Sequence, residues 1–240
     1  MKKYVIIDCR MRDVEKNFFK SLGYNIVEIK KTERVYPEIS SHVDIFVSQI
    51  NDILICEKSQ YEYLKKEIPN SKIICGDSEI SSDYPNDVKY NICQIGKNVV
   101  HNFKYTDKKV FDIIEEKNLN RIQISQGYSN CSIAVLNEKS VITSDLKIAK
   151  KLEKQNINVL YFEDITNIKL LDENNNFSKM NGFIGGALGK VDDKVVVFGD
   201  LSKIDKKGLI NQFVKQNKLE LIDFKDLDII DYGGIITIFV

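Results

Sequence analysis

Asp44-Ile-Phe-Val-Ser-Gln-Ile-Asn-Asp-Ile-Leu-Ile, residues 44–55, reads as two apolar strands around a polar turn. Ser132-Ile-Ala-Val-Leu-Asn-Glu-Lys-Ser-Val-Ile-Thr, residues 132–143, repeats this pattern with the same spacing. Two further copies begin at Tyr90 and Phe183. A hairpin that recurs at this interval indicates a repeat architecture, since a period of roughly 20 to 50 residues marks such folds.

Each hairpin is followed by apolar residues at helical spacing and then by a short β-rich run. Four such units are complete, and the apolar strands near the two ends of the chain supply the parts of a fifth. Complementary terminal strands fit a closed ring better than an open array, which needs polar capping repeats. The sequence therefore predicts an α/β five-bladed αβ-propeller of ββαβ repeats with pseudo-fivefold symmetry, closed by the N- and C-terminal strands. The alternative is a conventional α/β sandwich whose alternation only looks periodic.

The predicted repeats cover approximately residues 42–88, 89–129, 130–181, 182–229, and 230–240 joined with 1–41. At 240 residues the chain is long enough for one large core, so we expect a single domain over residues 1–240. No apolar run approaches the roughly 18 residues that a membrane helix needs, and no membrane partner is expected.

Charge and cysteine usage narrow the expected partners. The 35 Lys and Arg residues equal the 35 Asp and Glu residues, so no net positive field favours nucleic acid. The five cysteines form no CxxC pair and the two histidines lie far apart in sequence, so we expect no metal, no disulfide framework and no cofactor. Asp8 and Arg10 interrupt the N-terminal apolar run before a signal peptide is complete, which favours a cytoplasmic location.

The hairpin starts are where we expect a site, because five units around an axis bring equivalent positions together. Alignment of the hairpins on their second strands sets His42 opposite Asn130, Val43 opposite Cys131 and Asp44 opposite Ser132. Residues two apart on a strand share a face, so His42 and Asp44 are expected to point the same way, as acid or base and as anchor for a cationic group. The alternative is that both satisfy nearby backbone groups.

Cys131 is the cysteine that the repeat directs towards the centre. A nearby histidine could lower its pKa and make it a nucleophile, although a buried cysteine is more often a small apolar residue. Further ligand contacts are expected from neutral hydrogen bonds, a second carboxylate and close backbone approach, at Gln126, Asn130, Asp8, Gly185 and Gly186. The glycines could instead mark bulges or bends.

The repeats and the His42-x-Asp44 motif resemble the pentein propeller of the guanidine-modifying superfamily, which includes arginine deiminases, agmatine deiminases and amidinotransferases. The architectural resemblance covers nearly the whole chain. The sequence is more closely similar to an uncharacterised clostridial-type branch of that superfamily. The motifs that carry this similarity are His42-Val-Asp-Ile, Lys104-Tyr-Thr-Asp, Gln126-Gly-Tyr-Ser-Asn-Cys-Ser, Ile142-Thr-Ser-Asp and Gly182-Phe-Ile-Gly-Gly-Ala.

In the catalytic members of the superfamily, a cysteine near the C-terminus attacks the guanidinium carbon and a His-x-Asp motif supplies acid-base chemistry and substrate contacts. The resemblance gives these last roles to His42 and Asp44. The sequence departs from the pattern at its C-terminus, where Ile236 and Thr237 stand in place of the expected histidine and cysteine. A nucleophile would have to come from another unit, and Cys131 is the candidate.

Two hypotheses follow from these expectations. The first is a protein that binds a small guanidino or amino-acid-like ligand, expected to be a cation, in a central pocket, with Cys-dependent hydrolase or transferase chemistry on C–N bonds. The second is a catalytically inactive binding module, because the same propeller also occurs in a ribosome-associated initiation factor. In that case the partner would bind outside the pore. The oligomeric state is not predicted by the sequence.

Overall fold

The computed structural model describes residues 1–240 as a mixed α/β fold of short strands and helices. The strands are, in chain order, β1 Lys3–Asp8, β2 Tyr24–Ile29, β3 Val47–Ile50, β4 Ile53–Cys56, β5 Lys72–Cys75, β6 Cys93–Ile95, β7 Asn98–His101, β8 Asn120–Gln123, β9 Ile133–Asn137, β10 Ser140–Thr143, β11 Asn158–Tyr161, β12 Ile168–Leu171, β13 Phe177–Asn181, β14 Leu188–Val191, β15 Lys194–Val197, β16 Glu220–Ile222, β17 Ile229–Ile230 and β18 Ile236–Phe239. The α-helices are α1 Asp13–Ser21, α2 Val43–Phe46, α3 Lys58–Glu67, α4 Lys108–Glu116, α5 Ser129–Ser132, α6 Leu146–Glu153, α7 Ile184–Ala187 and α8 Leu209–Gln216. No helix is both long enough and apolar enough to cross a membrane.

Five of the six sheets repeat one pattern. In each of them the middle strand pairs antiparallel with the first strand and parallel with the third, in the orders β3-β4-β5, β6-β7-β8, β9-β10-β11, β14-β15-β16 and β18-β1-β2. A helix of eight to ten residues connects the middle strand to the third strand in every unit. The predicted strand, strand, helix, strand unit is therefore confirmed. Each sheet is open and three-stranded, and none closes on itself.

The two ends of the chain together form one of these units. Strand β18 pairs antiparallel with β1, from Lys3 opposite Phe239 to Ile6 opposite Ile236. Strand β1 in turn pairs parallel with β2 over its whole length. The pairing of the terminal strands that the sequence predicts is therefore present.

The sixth sheet, of order β13-β12-β17, has no place in the predicted repeat. Strands β12 and β13 lie within the segment assigned to the third unit, whereas β17 lies across the predicted boundary between the fourth unit and the terminal unit. Strand β17 has only two residues, which pair with Ile168 and Lys169 of β12. So short a strand leaves no periodic signal in the sequence.

Four clusters of buried apolar side chains lie between neighbouring units. The largest has 25 residues and joins the terminal unit to the first and second units. A cluster of 10 residues joins the second and third units, one of 16 joins the third and fourth, and one of 11 joins the fourth to the terminal unit. Every pair of successive units therefore shares a core, including the pair that brings the fourth unit against the N-terminal strand.

Short helical turns precede the first strands of three units. Helices α2, α5 and α7 have four residues each and run directly into β3, β9 and β14. His42 flanks α2 at its N-terminus, and Asp44 lies inside it. The prediction that both residues share one face of a strand is wrong, because this segment follows the helical period and not the period of two.

Candidate functional site

A cavity of about 730 Å³ runs along the first strands of the five repeated units. Its wall includes residues from β3, β6, β9, β14 and β18. One end, which we call the floor, is formed by Asp44, Asn130, Gly185 and Gly234. The opposite end, which we call the rim, lies at the hairpin turns and includes Asn51, Gly96, Glu138 and Asp192. Small-molecule sites commonly have volumes of roughly 300 to 1,000 Å³, so this cavity is of suitable size.

The floor places Asp44, Asn130 and Gly185 at equivalent positions, each the second residue of its helical turn. The predicted alignment, which set His42 opposite Asn130, is therefore shifted by two residues at the strand entrances. The register of β9 against β10 breaks between Ser140 and Val141, whereas that of β3 against β4 is regular. This irregularity adds one residue to the third hairpin. The other residue of the shift lies in the second strands, because the pairings match Cys56 with Thr143, one residue from the predicted alignment.

Asp44 is the carboxylate at the floor. Its Oδ2 atom accepts hydrogen bonds from Cys131 Sγ at 2.9 Å and from Asn130 Nδ2 at 3.2 Å. Its Oδ1 atom is buried and has no hydrogen-bond partner. Burial raises the pKa of Asp44 to about 6, although the hydrogen bonds from Cys131 and Asn130 oppose the rise.

The Cys131 thiol lies beside this carboxylate and is 2% exposed. Burial and the charges of Asp44 and Asp231 raise the pKa of this thiol well above its usual value. The thiol therefore keeps its proton and donates a hydrogen bond to Asp44 Oδ2. The expectation that a nearby histidine lowers the pKa of Cys131 is wrong, because the charged neighbours of the sulfur are carboxylates.

His42 is buried at the same site, and neither of its ring nitrogens has a hydrogen-bond partner. Its Nδ1 atom is 3.8 Å from Asp231 Oδ1, which is longer than a hydrogen bond. Burial lowers the pKa of His42, although Asp231 and Asp8 oppose that effect. The imidazole is therefore neutral at pH 7, when it can both donate and accept a hydrogen bond.

Asp231 is a second buried carboxylate that the sequence analysis did not single out. It accepts hydrogen bonds from the backbone amides of Phe183, at 2.8 Å, and Gly233, at 2.9 Å. Burial raises the pKa of Asp231, although the neighbouring His42 opposes the rise. Its position just before Tyr232-Gly233-Gly234 corresponds to the approach to a first strand, which is the signal that could have identified it.

Asn91 is the other residue that the sequence analysis missed, and its amide holds the floor residues in place. Its Nδ2 atom donates to Cys131 Sγ at 3.2 Å and to the Asp44 carbonyl at 3.2 Å. Its Oδ1 atom accepts from the backbone amide of Asn130 at 2.8 Å. Asn91 lies two residues before β6, so a search of every first-strand entrance for polar residues would have found it.

The glycines at the site allow close packing of the helical turns. A β-carbon on Gly185 would lie 2.2 Å from the Asn130 carbonyl oxygen, and one on Gly186 would lie 1.8 Å from Asp231 Oδ1. Gly185 reaches the floor of the cavity, whereas Gly186 packs behind it against Asp231. Both positions are therefore as crowded as the sequence predicts, and only Gly185 lines the cavity.

Asp8 does not offer an open carboxylate to a ligand. It is fully buried, and its two oxygen atoms accept hydrogen bonds from Arg10 and from Ser41 Oγ. Burial alone would raise the pKa of Asp8, but the hydrogen bonds and charge of Arg10 outweigh that effect and hold it below its usual value. The expectation that Asp8 shares a ligand's guanidinium is wrong, since the guanidinium of Arg10 already occupies it.

Gln126 also lies away from the floor. Its Oε1 atom accepts a hydrogen bond from the backbone amide of Tyr128 at 3.1 Å. The residue lines a separate cavity of about 480 Å³ together with Asp145 and Lys147. Of the eight residues that the sequence predicts for the site, the structure brings six together: His42, Asp44, Asn130, Cys131, Gly185 and Gly186.

The assembled site combines two buried carboxylates, a neutral imidazole and a protonated thiol. A buried polar atom without a partner costs about 1–3 kcal/mol, so a donor that reaches Asp44 Oδ1 is favoured. A cationic donor gains in addition from the negative charge of the carboxylates. The site holds no cluster of His, Cys, Asp and Glu with the arrangement of a metal centre.

Solved structures with a similar fold are enzymes of the pentein type. Dimethylarginine dimethylaminohydrolase from Pseudomonas aeruginosa, in a variant complexed with citrulline, has a TM-score of 0.54 at 13% identity over 95% of this chain and 92% of that chain. Agmatine deiminase from C. jejuni has a TM-score of 0.54 at 10% identity, over 92% of this chain and 74% of that chain. SxtG, an amidinotransferase from Microseira wollei, has a TM-score of 0.53 at 10% identity over 88% and 73%. At such identities the likeness concerns the fold alone.

No curated protein matches the sequence significantly. The family model that does match covers residues 6–236, which is nearly the whole chain and includes every residue of the site. The chain therefore belongs to DUF6873, a family of unknown function.

Proposed function

We propose that this protein binds a small cation of the guanidino or amino type at the floor of its cavity. The observation that carries the proposal is the Oδ1 atom of Asp44, which is buried, has no hydrogen-bond partner and belongs to a carboxylate that lines the cavity. A guanidinium or ammonium group supplies both the missing donor and the compensating charge. The fold supports the same class of ligand, because its structural neighbours modify guanidino groups.

The charges around the floor favour a cation over an anion or a neutral ligand. Asp44 and Asp231 are both buried there, and neither forms an ion pair with a lysine or arginine. The guanidinium of Arg10, whose charge acts on His42, is neutralised by Asp8 at 2.7 Å. His42 contributes no positive charge, because burial lowers its pKa. A bound cation would therefore supply the positive charge that Asp44 and Asp231 lack.

The arrangement of the five repeated units as a five-bladed propeller belongs to this proposal. It is supported by the five first strands that contribute to one cavity wall and by the shared cores between successive units. Residues 1–240 would then form one domain, with the ligand on its axis. The closer relation to a clostridial-type branch, the cytoplasmic location, and the lack of nucleic-acid and membrane partners stay predictions from the sequence.

Covalent chemistry at Cys131 is a second candidate function. The observation that favours it is the 2.9 Å contact between Sγ and Asp44 Oδ2, because this carboxylate could take the thiol proton as the sulfur attacks a guanidinium carbon. The proton that Asp44 takes would then pass to the departing amine, and the neutral imidazole of His42 would relay it. We expect Cys131→Ala to bind a ligand as the unaltered protein does and to abolish any release of ammonia or amine from it. Unchanged release would exclude this nucleophile.

Thermal stabilisation by methylguanidine, agmatine and arginine tests the binding proposal. A ligand that binds only the folded state raises the melting temperature, and we expect this shift for at least one of the three compounds at pH 7.5. In Asp44→Asn the affinity should fall by about 10- to 100-fold, the equivalent of losing one charge-assisted hydrogen bond of about 1.5–3 kcal/mol.

Asp52→Asn is the matched control for this titration. Asp52 lies in the same unit, is exposed and pairs with Lys72 away from the cavity wall. We expect this variant to bind all three compounds as the unaltered protein does. Equal shifts in the Asp44 and Asp52 variants would locate the cation elsewhere and contradict the proposal.

A further inference from the structure

The length of the cavity sets a requirement on its ligand. Strand β9 forms part of the wall from Ile133 to Asn137, and the lining continues to Asn130 at the floor and Glu138 at the rim. A strand rises about 3.3 Å per residue, so the five residues of β9 alone extend over roughly 15 Å. A methylguanidinium or a short diamine held at Asp44 would leave most of this length unused.

Hydrogen-bond acceptors occur along this length. Asp44 Oδ1 lies at the floor without a partner. Gln49 lines the middle of the wall, and its Nε2 atom donates to the Thr237 carbonyl at 3.1 Å, which leaves its Oε1 atom as an acceptor. Glu138 follows at the rim, where it is exposed and forms no ion pair. Three acceptors at different depths suit a ligand with several donors in a row.

The wall between these acceptors is mixed in character, with Gln94, Asn137 and Thr237 among its polar residues. It includes side chains that can contact methylene groups, namely Val47, Ile92, Ile133, Val135, Leu188 and Ile236. The ionisable residues of the lining are three carboxylates, Asp44, Glu138 and Asp192, against one ammonium group, that of Lys190. The Lys190 ammonium donates to the Asp192 carbonyl at 2.7 Å, and the Asp192 carboxylate is paired with Lys3 at 3.1 Å. Glu138 is therefore the rim carboxylate that is free to meet a cation.

We propose that the cavity takes a linear polyamine, with one terminal ammonium group at Asp44, methylene segments against the apolar side chains of the wall and the far ammonium group at Glu138. This inference rests on the proposed function and adds the class of ligand. An amino acid such as arginine fits less well, because its carboxylate would lie between Asp44 and Glu138 on a wall that is acidic overall. The ligand's inner amines would lie near Gln49.

Calorimetric titrations with methylguanidine, putrescine, spermidine and spermine at low ionic strength test the inference. We expect affinity to rise with chain length, with spermine at least 10-fold tighter than putrescine. Glu138→Gln should lower the affinity for spermine by about 2- to 5-fold, which is the range of an exposed ion pair. The affinity for methylguanidine should not change. Glu116→Gln is the matched control, because Glu116 is exposed on α4 and does not line the cavity.

The outcomes separate this inference from the proposed function. Methylguanidine could bind through Asp44 while the affinities of the amines depend neither on chain length nor on Glu138. That result would overturn the polyamine inference alone. If spermine binds Asp44→Asn as tightly as the unaltered protein, it contacts surface carboxylates only. That result would also overturn the polyamine inference. If no compound in the series binds in a way that depends on Asp44, the proposed function itself fails.

Discussion

Gly233→Ala should destabilise the protein by about 3 kcal/mol and abolish ligand binding, whereas Gly208→Ala should cost only about 1 kcal/mol. The two glycines have nearly the same positive φ, +69° and +70°. An alanine at either position is strained by that conformation, to a similar extent. The pair therefore separates backbone strain from what surrounds the new β-carbon.

The surroundings of the two positions are opposite. A β-carbon at Gly233 would lie 2.5 Å from His42 Cβ and 2.7 Å from Asp44 Oδ1, so the residues of the site would have to move. A β-carbon at Gly208 would meet nothing within 4 Å. Chemical denaturation of both variants and of the unaltered protein gives the two free energies of unfolding. Equal losses would mean that His42 and Asp44 are not packed against Gly233, and the geometry of the site would be incorrect.

Asp44→Asn should make the unliganded protein more stable at pH 8 and leave it nearly unchanged at pH 4. Burial raises the pKa of Asp44 from 3.8 to about 6 in the folded state. A carboxyl group whose pKa is raised by folding contributes stability that is complete below pH 4 and is lost as the pH rises through 6. Asparagine does not titrate and avoids this loss, which is about 3 kcal/mol for a shift of this size.

Thermal melts of both proteins at several pH values between 4 and 8 measure this difference. For a chain of this length, about 3 kcal/mol corresponds to a rise in melting temperature of roughly 6 to 12 °C. Asp52→Asn again serves as control, because its pKa is lowered by a hydrogen bond from Lys72 and its contribution has the opposite sign. A melting temperature of Asp44→Asn that does not exceed that of the unaltered protein at pH 8 would show that the Asp44 charge is already compensated.

If Asp44→Asn stabilises the protein, that result would also indicate that the carboxylate serves a function and not the stability of the fold. The fold does not need its charge, and the structure supplies no positive partner for it. Residues that cost stability persist where a ligand depends on them. Asp8 is the opposite case, since Arg10 lowers its pKa and its carboxylate ties the first strand to the segment at Ser41.

The repeat and the pairing of the terminal strands could be predicted because they depend on local patterns. Two apolar strands around a polar turn leave the same signature in each unit, and β1 and β18 are apolar strands that lack a partner within their own segments. The caps of two helices are local in the same way, since Asp107 and Asp145 each accept hydrogen bonds from two amides of the following turn.

The site was harder to predict, because it depends on register between units. The irregular pairing at Ser140 adds one residue and the second strands are displaced by one more, so Asp44 corresponds to Asn130 and not to Ser132. Arg10 donates hydrogen bonds to the carboxylate of Asp8, two residues before it in the sequence. Composition alone does not reveal this contact. Asn91 and Asp231 lie before first strands, which is a usable signal, but the groups that they contact come from other units and are not evident in the sequence.

A crystal structure of the protein with methylguanidinium tests the central claim most directly, because it locates the cation. We predict a guanidinium nitrogen within about 3.2 Å of Asp44 Oδ1, between Asn130 and Gly185 at the floor of the cavity. A fully occupied cation bound only outside the cavity, with Asp44 Oδ1 still without a partner, would contradict the account.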